Sequence, residues 1–180
     1  MTVTLPPLTL VLGGAASGKS DYAERLVATT GRPLVYIATA QSYDAEMSAK
    51  IEHHQTRRGP LWRTVEAPLD PAPALDLAEP TQVILLDCAT MWLSNHLLAG
   101  TKLPHTEGQL LRALTACRAP VVIVSNEVGA GIVPENPLAR KFRQVQGELN
   151  QRLAQHADLV ITVMAGLPLC LKGSLPEGSP

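Results

Sequence analysis

Leu8-Thr9-Leu10-Val11-Leu12-Gly13-Gly14-Ala15-Ala16-Ser17-Gly18-Lys19-Ser20 joins an apolar run to the pattern G-x-x-x-x-G-K-[ST], and that junction decides the fold. Gly13 and Gly18 let the backbone turn tightly and aim several N–H groups at one anion. Lys19 reaches the β- and γ-phosphates, and the Ser20 hydroxyl can sit on Mg²⁺. A helix starting at Lys19 adds the positive end of its dipole to the same spot. Tyr22, Ala23, Leu26 and Val27 follow at helical spacing. In this strand–loop–helix setting the pattern implies a bound nucleoside triphosphate rather than a mere glycine-rich turn.

Four more apolar, β-branched runs follow the first (8–12), at residues 34–38, 83–86, 121–124 and 159–164. They are almost free of polar residues, which suits strands covered on both faces. Helical patterns and turn residues lie between them, so the expectation is an α/β fold with a mainly parallel sheet flanked by helices. The clearest helix follows Pro137, where Leu138, Phe142, Val145, Leu149 and Leu153 form one stripe and Arg140, Lys141, Arg143 and Glu148 face solvent. A second helix is expected over 44–58, stopped by Gly59-Pro60. Residues 68–80, rich in Pro and Ala, read as a connection with at most a short helix. The whole chain, 1–180, reads as one domain, with 172–180 a loose tail.

The 180 residues are 46% hydrophobic, enough for a substantial core without disulfides. Fifteen basic and sixteen acidic residues balance, which argues against a nucleic-acid or membrane-surface protein. Cys88, Cys117 and Cys170 are widely spaced and odd in number, so they read as free thiols in a reducing cytoplasm. Residues 1–7 carry no basic residue and resemble no signal peptide, and no run approaches the roughly 18 apolar residues of a membrane span. A cytoplasmic protein is expected.

Ligands of open parallel sheets gather beyond the carboxyl ends of the strands. Ala38-Thr39-Ala40, Asp87, Ser125-Asn126-Glu127 and Ala165-Gly166 all arrive there. Asp87 has the placement of an acid that holds Mg²⁺ in phosphate-loop enzymes, or it caps the following helix. Glu127 sits equivalently, either as an acid, base or ribose contact or as a turn residue. Gly129 and Gly131 supply unusual backbone angles. On a helix, Lys50, His54, Arg57 and Arg58 share a face while His53 points elsewhere. Cations bias a histidine towards the neutral form that can attack phosphorus, and they can neutralise charge at the reacting centre. The alternatives are a solvated basic face or, with neither spacing nor further ligands to support it, a metal site.

Several stretches together resemble one known family. They are the 13–20 loop, Tyr36-Ile37-Ala38-Thr39-Ala40, Asp44 to Met47, Ile51 with His54 and Arg58, and Trp62-Arg63-Thr64-Val65-Glu66. Ser125-Asn126-Glu127-Val128-Gly129-Ala130-Gly131-Ile132-Val133-Pro134-Glu135, then Asn136 to Arg140 and Asn150 to Leu153, complete the set. The family is the bifunctional adenosylcobinamide kinase/adenosylcobinamide-phosphate guanylyltransferase of cobalamin biosynthesis, and the likeness runs from about residue 10 to 166. The resemblance implies a RecA-like P-loop NTPase fold and a homotrimer. It implies phosphorylation of adenosylcobinamide with ATP or GTP, then transfer of GMP from GTP to adenosylcobinamide phosphate through a guanylyl-histidine, with release of pyrophosphate. It matches the reactive histidine to His54 rather than His53. It carries nucleotide contacts to Gly13, Gly14, Ala15, Ala16, Ser17, Gly18, Lys19 and Ser20, to Ala38, Thr39 and Ala40, to Gln55, Thr56, Arg57 and Arg58, and to Glu66 and Asp87. Lys19 would serve both binding and catalysis, with Ser20 and Asp87 on Mg²⁺. The sequence departs from the family at Ala16, where arginine is usual, and in a short 94–111 region. The rivals are a simple small-molecule kinase and a nucleotide-dependent binding module.

Overall fold

In the computed structural model, which describes residues 2–41 and 62–180, seven strands form one sheet. The chain runs β1 (Leu8–Gly13), α1 (Lys19–Ala28), β2 (Leu34–Ala38), β3 (Trp62–Glu66), α2 (Ala72–Asp76) and β4 (Val83–Asp87). It continues through α3 (Ala89–Leu98), α4 (Leu103–Ala116), β5 (Val121–Asn126), α5 (Pro137–His156), β6 (Leu159–Met164) and β7 (Leu167–Lys172). The strand order is β3-β2-β4-β5-β1-β6-β7, parallel throughout except for β7, which returns antiparallel to β6.

Side chains alternate across each strand, so one sheet feeds two cores. Ile84, Leu86, Val121 and Ile123 face α2, α3, α4 and α5. Val83, Leu85, Val122 and Val124 face α1, where Tyr22, Ala23, Leu26 and Val27 are fully buried. All five apolar runs are strands. The two strands not anticipated are the edges. β3 has one neighbour and a mostly exposed face, and β7 carries Pro168, a residue that argues against a strand except at an edge. The 68–80 connection holds only the five-residue α2, and the helix expected over 44–58 lies outside the described residues.

The stripe on α5 is covered only in part. Leu149 and Leu153 are fully buried, whereas Leu138 is 59% exposed. A 20-residue helix is about 30 Å long, but a six-residue strand spans about 20 Å, so the first turns of α5 overhang the sheet. There α3 and α5 border an open cavity of about 500 Å³ lined by Leu97, Leu98, Leu138 and Phe142.

Deep between α4 and α5, Glu107 is 3% exposed and forms an ion pair with Arg152. Burial raises its carboxyl above the usual range, and the Arg152 charge offsets only part of that rise. A carboxyl whose folded pKa is raised stabilises the fold fully below its unfolded pKa and loses that contribution as pH climbs through the folded value. Glu107→Gln should therefore flatten the fall in stability on that alkaline side. Chemical unfolding of both proteins from acid to neutral pH checks this, and parallel curves would refute it.

Candidate active site

The 13–20 loop closes over the carboxyl end of β1 and is shaped by contacts that only glycine permits. A Cβ on Gly13 would lie 2.3 Å from Ser17 Oγ and 2.8 Å from the Val163 carbonyl. Gly18 has φ 90°, a left-handed conformation that glycine adopts without steric cost, and caps α1 without a side-chain bond. Ala16, where the family usually has arginine, also has positive φ, at 54°. Ser17 N–H donates to the Gly14 carbonyl at 3.3 Å, while the N–H groups of Ala15, Ala16, Gly18, Lys19 and Ser20 donate to no backbone carbonyl among the described residues. Those unspent donors at the start of a helix form an anion cradle. Lys19 Nζ folds over it and donates to the Gly14 carbonyl at 3.1 Å. From the far side, the tight β6–β7 turn braces the loop: Gly166 N–H donates to the Ser17 carbonyl at 2.8 Å.

Asp87 ends β4 on the face that also carries α1, two strands from β1 across β5. Strand spacing puts that lateral separation at about 10 Å. Tyr36 Oη donates to Asp87 Oδ2 at 3.2 Å. The cap of α3 is Cys88, whose Sγ accepts from Met91 N–H at 3.5 Å, so Asp87 is not the capping residue. Burial first, then the Asp87 charge, push the Cys88 thiol up to about 12, which keeps it neutral and unreactive. Thr39 is fully buried. Its hydroxyl donates to the Cys88 carbonyl at 2.7 Å and accepts from Cys88 N–H at 2.8 Å, tying the end of β2 to the end of β4. Ala38 lies opposite Asp87 on one side and Glu66 on the other, and Glu66 and Ala40 flank this rim, Glu66 exposed. The remaining nucleotide and nucleophile candidates, His54, Gln55, Thr56, Arg57 and Arg58, lie outside the described residues, as do Lys50 and His53.

The 127–136 loop begins beside the cradle, where Glu127 N–H donates to the Gly13 carbonyl at 2.9 Å. Glu127 spends both carboxylate oxygens on this loop, accepting from Gly129 N–H at 2.7 Å and Ala130 N–H at 3.2 Å, the turn role among its readings. Arg140 and Arg143 are not merely solvated. Arg140 donates to the Pro134 and Glu135 carbonyls, and Arg143 to those of Ile132 and Gly129. Their helical spacing from the loop was legible, but carbonyl partners leave no mark in a sequence.

Among the described residues no three His, Cys, Asp or Glu side chains cluster. Hard oxygens at Ser20 and Asp87 fit a Mg²⁺ that takes its other ligands from phosphate and water.

Residues 9–171 match the family model described as cobinamide kinase / cobinamide phosphate guanyltransferase. The chain is 44% identical over 167 residues to the bifunctional adenosylcobalamin biosynthesis protein CobP of Pseudomonas aeruginosa, covering 91% of this chain and 96% of that one. To the corresponding protein CobU of Salmonella typhimurium it is 45% identical over 182 residues, covering 92% and 99%. Among solved structures, the RadB recombinase superposes with a TM-score of 0.55 at 15% identity, covering 98% of this chain and 86% of that one. The type III secretion ATPase EscN of enteropathogenic E. coli gives 0.54 at 10%, covering 88% and 43%. Those two show the fold alone, a RecA-like one. The chain belongs to the cobinamide kinase / cobinamide phosphate guanyltransferase family, the bifunctional enzymes that carry out both steps in adenosylcobalamin biosynthesis.

Proposed function

We propose that this bifunctional enzyme serves both reactions from the one cradle, and that His54 is its covalent nucleophile. The observation carrying this reading is the set of unspent N–H donors over which Lys19 lies, on the same sheet face as Asp87. In the kinase step the aminopropanol hydroxyl of adenosylcobinamide attacks the γ-phosphorus of ATP or GTP, and the nucleoside diphosphate leaves. Lys19 and the loop N–H groups hold the charge that gathers on the transferred oxygens. In the second step an imidazole nitrogen of His54 attacks the α-phosphorus of GTP and pyrophosphate leaves. A phosphate oxygen of adenosylcobinamide phosphate then displaces His54, giving adenosylcobinamide-GDP. Lys50, Arg57 and Arg58 keep that imidazole neutral, and Gln55, Thr56, Ala38, Thr39, Ala40 and Glu66 complete the nucleotide contacts. Mg²⁺, held by Ser20 and Asp87, supplies charge neutralisation at the phosphates when bound. The working form is a cytoplasmic homotrimer, as the family resemblance implies. The described residues include no helix able to cross a membrane and hold three free cysteines.

The test is incubation with Mg²⁺ and GTP labelled at the α-phosphate, beside γ-labelled GTP, followed by a denaturing gel. Acid-labile label from the α-phosphate alone is expected, abolished by His54→Asn and retained in His53→Asn. Absence of protein-bound label despite GTP binding would sink the covalent route.

A further inference from the structure

What Asp87 does for a cation depends on how its carboxylate is turned, and a buried side chain on the next strand governs that. Tyr36 lies on β2, two residues before Ala38, the register partner of Asp87. Because side chains alternate, Tyr36, Leu85 and Asp87 share the sheet face that carries α1. Tyr36 is thus the diagonal neighbour of Asp87, and its hydroxyl closes the gap by donating to Oδ2 at 3.2 Å.

The ring has little freedom of its own. Tyr36 is 7% exposed, and Trp62 meets it edge-on at 6.2 Å between centroids. Trp62 pairs with Leu34 on β2, so it is a diagonal neighbour of Tyr36 on the same face. A line from Trp62 through Tyr36 to Asp87 therefore crosses the adjacent strands β3, β2 and β4. Just beyond it, the Thr39 hydroxyl joins the end of β2 to Cys88, the residue after Asp87. The donor and the carboxylate are carried on strands fastened together. The ring serves the core, but the hydroxyl at its tip brings a desolvation cost that phenylalanine would avoid. A donor on one carboxylate oxygen restricts rotation about the last side-chain bond, which is otherwise broad. Carboxylates that hold metals are oriented by such outer partners.

We propose that Tyr36 is a positioning residue that sets the Asp87 carboxylate for the divalent cation of the nucleotide complex. This rests on the reading that Asp87 holds Mg²⁺. By holding Oδ2, the hydroxyl removes the need to order the carboxylate when the cation arrives. A triphosphate carrying its cation meets a carboxylate already set, whereas a triphosphate without one gains nothing from it.

Calorimetric titration with β,γ-imido-ATP, once with Mg²⁺ and once with EDTA, tests this. The wild-type protein should bind the Mg²⁺ complex more tightly, and the ratio of the two affinities is the quantity to read. Tyr36→Phe keeps the ring and its contact with Trp62. It should cut that ratio about 10-fold while leaving binding in EDTA within about twofold. A merely structural tyrosine would lower both affinities alike, and that result, or an unchanged ratio, would overturn the proposal. Tyr36→Leu should cut the ratio equally and covers the case in which the phenylalanine variant folds poorly. Asp87→Asn separates the two readings. If it leaves the wild-type ratio intact, Asp87 does not hold the cation and both readings fall. If it abolishes the preference while Tyr36→Phe does not weaken it, only the positioning role falls. The two changes together should cost no more than Asp87→Asn alone, because the hydroxyl acts through the carboxylate; additive losses would overturn the proposal. In turnover, Tyr36→Phe should raise the Mg²⁺ concentration for half-maximal kinase rate about 10-fold. The rate at saturating Mg²⁺ should fall less than about threefold.

Discussion

Replacing Lys19 with alanine should lower both activities by about 100- to 1000-fold while leaving the melting temperature nearly unchanged. Among the described residues the ammonium makes one hydrogen bond, to the Gly14 carbonyl of its own loop, so little of the fold depends on it. Its work begins when negative charge arrives. Phosphoryl transfer and attack at the α-phosphorus both build charge on oxygens that a cation above the loop can meet, and backbone dipoles alone replace it poorly. Arginine should not rescue the loss, because a planar fork cannot occupy the site of a compact ammonium bent back over a tight loop. Steady-state assays of each reaction with calorimetric melts check this. A large drop in melting temperature would show that the lysine supports the fold instead.

The opposite pattern is expected for Trp92→Ala, with stability lost and chemistry per folded molecule retained. Trp92 is 1% exposed, meets the His96 ring edge-on at 4.5 Å between centroids, and donates from Nε1 to the Leu69 carbonyl at 2.9 Å. Truncating a buried tryptophan leaves a cavity worth about 3–5 kcal/mol, or roughly 10 °C in a domain of this size. The Leu69 carbonyl keeps a second donor in His96 Nε2, at 2.9 Å, so an orphaned acceptor adds little. Phenylalanine should recover more than half of the loss by refilling the space. Thermal melts of the three proteins, with assays well below the transition, separate this from a catalytic defect. An alanine variant as stable as the wild type would refute the packing argument.

How far the sequence could be read depended on what each feature's cause leaves in the chain. The phosphate loop was legible because each fixed position of its pattern has its own mechanical requirement, as at Gly13, where a Cβ would collide with Ser17. The central strands were legible because burial on both faces demands unbroken apolar runs. The edge strands were not: β3 reads as an exposed Trp-Arg-Thr-Val-Glu stretch and β7 has its proline. Tyr36 on Asp87 and Asn126 beside Gly13 follow from strand order and register, which no local pattern states. Asp87 itself was placed from its position at the end of an apolar run. The polar cluster joining Thr90, Ser125, Gln146 and Asn150 draws on three separated segments, so it became visible only once they were assembled.

The arch after β5 is fastened by its main chain. Glu127 takes two of its amides, and two arginines take four of its carbonyls. A segment gripped in this way keeps its path whatever side chains its crest displays, much as a railing keeps its line whatever hangs from it. Gly129 at its foot is the exception, with no room for a Cβ beside the Glu127 carboxylate. Ile132, 95% exposed, and Val133, 66% exposed, therefore owe nothing to internal packing. The fold leaves the chemistry displayed at the crest of the arch unconstrained, so substitution there is free to change what the enzyme meets without changing how it stands.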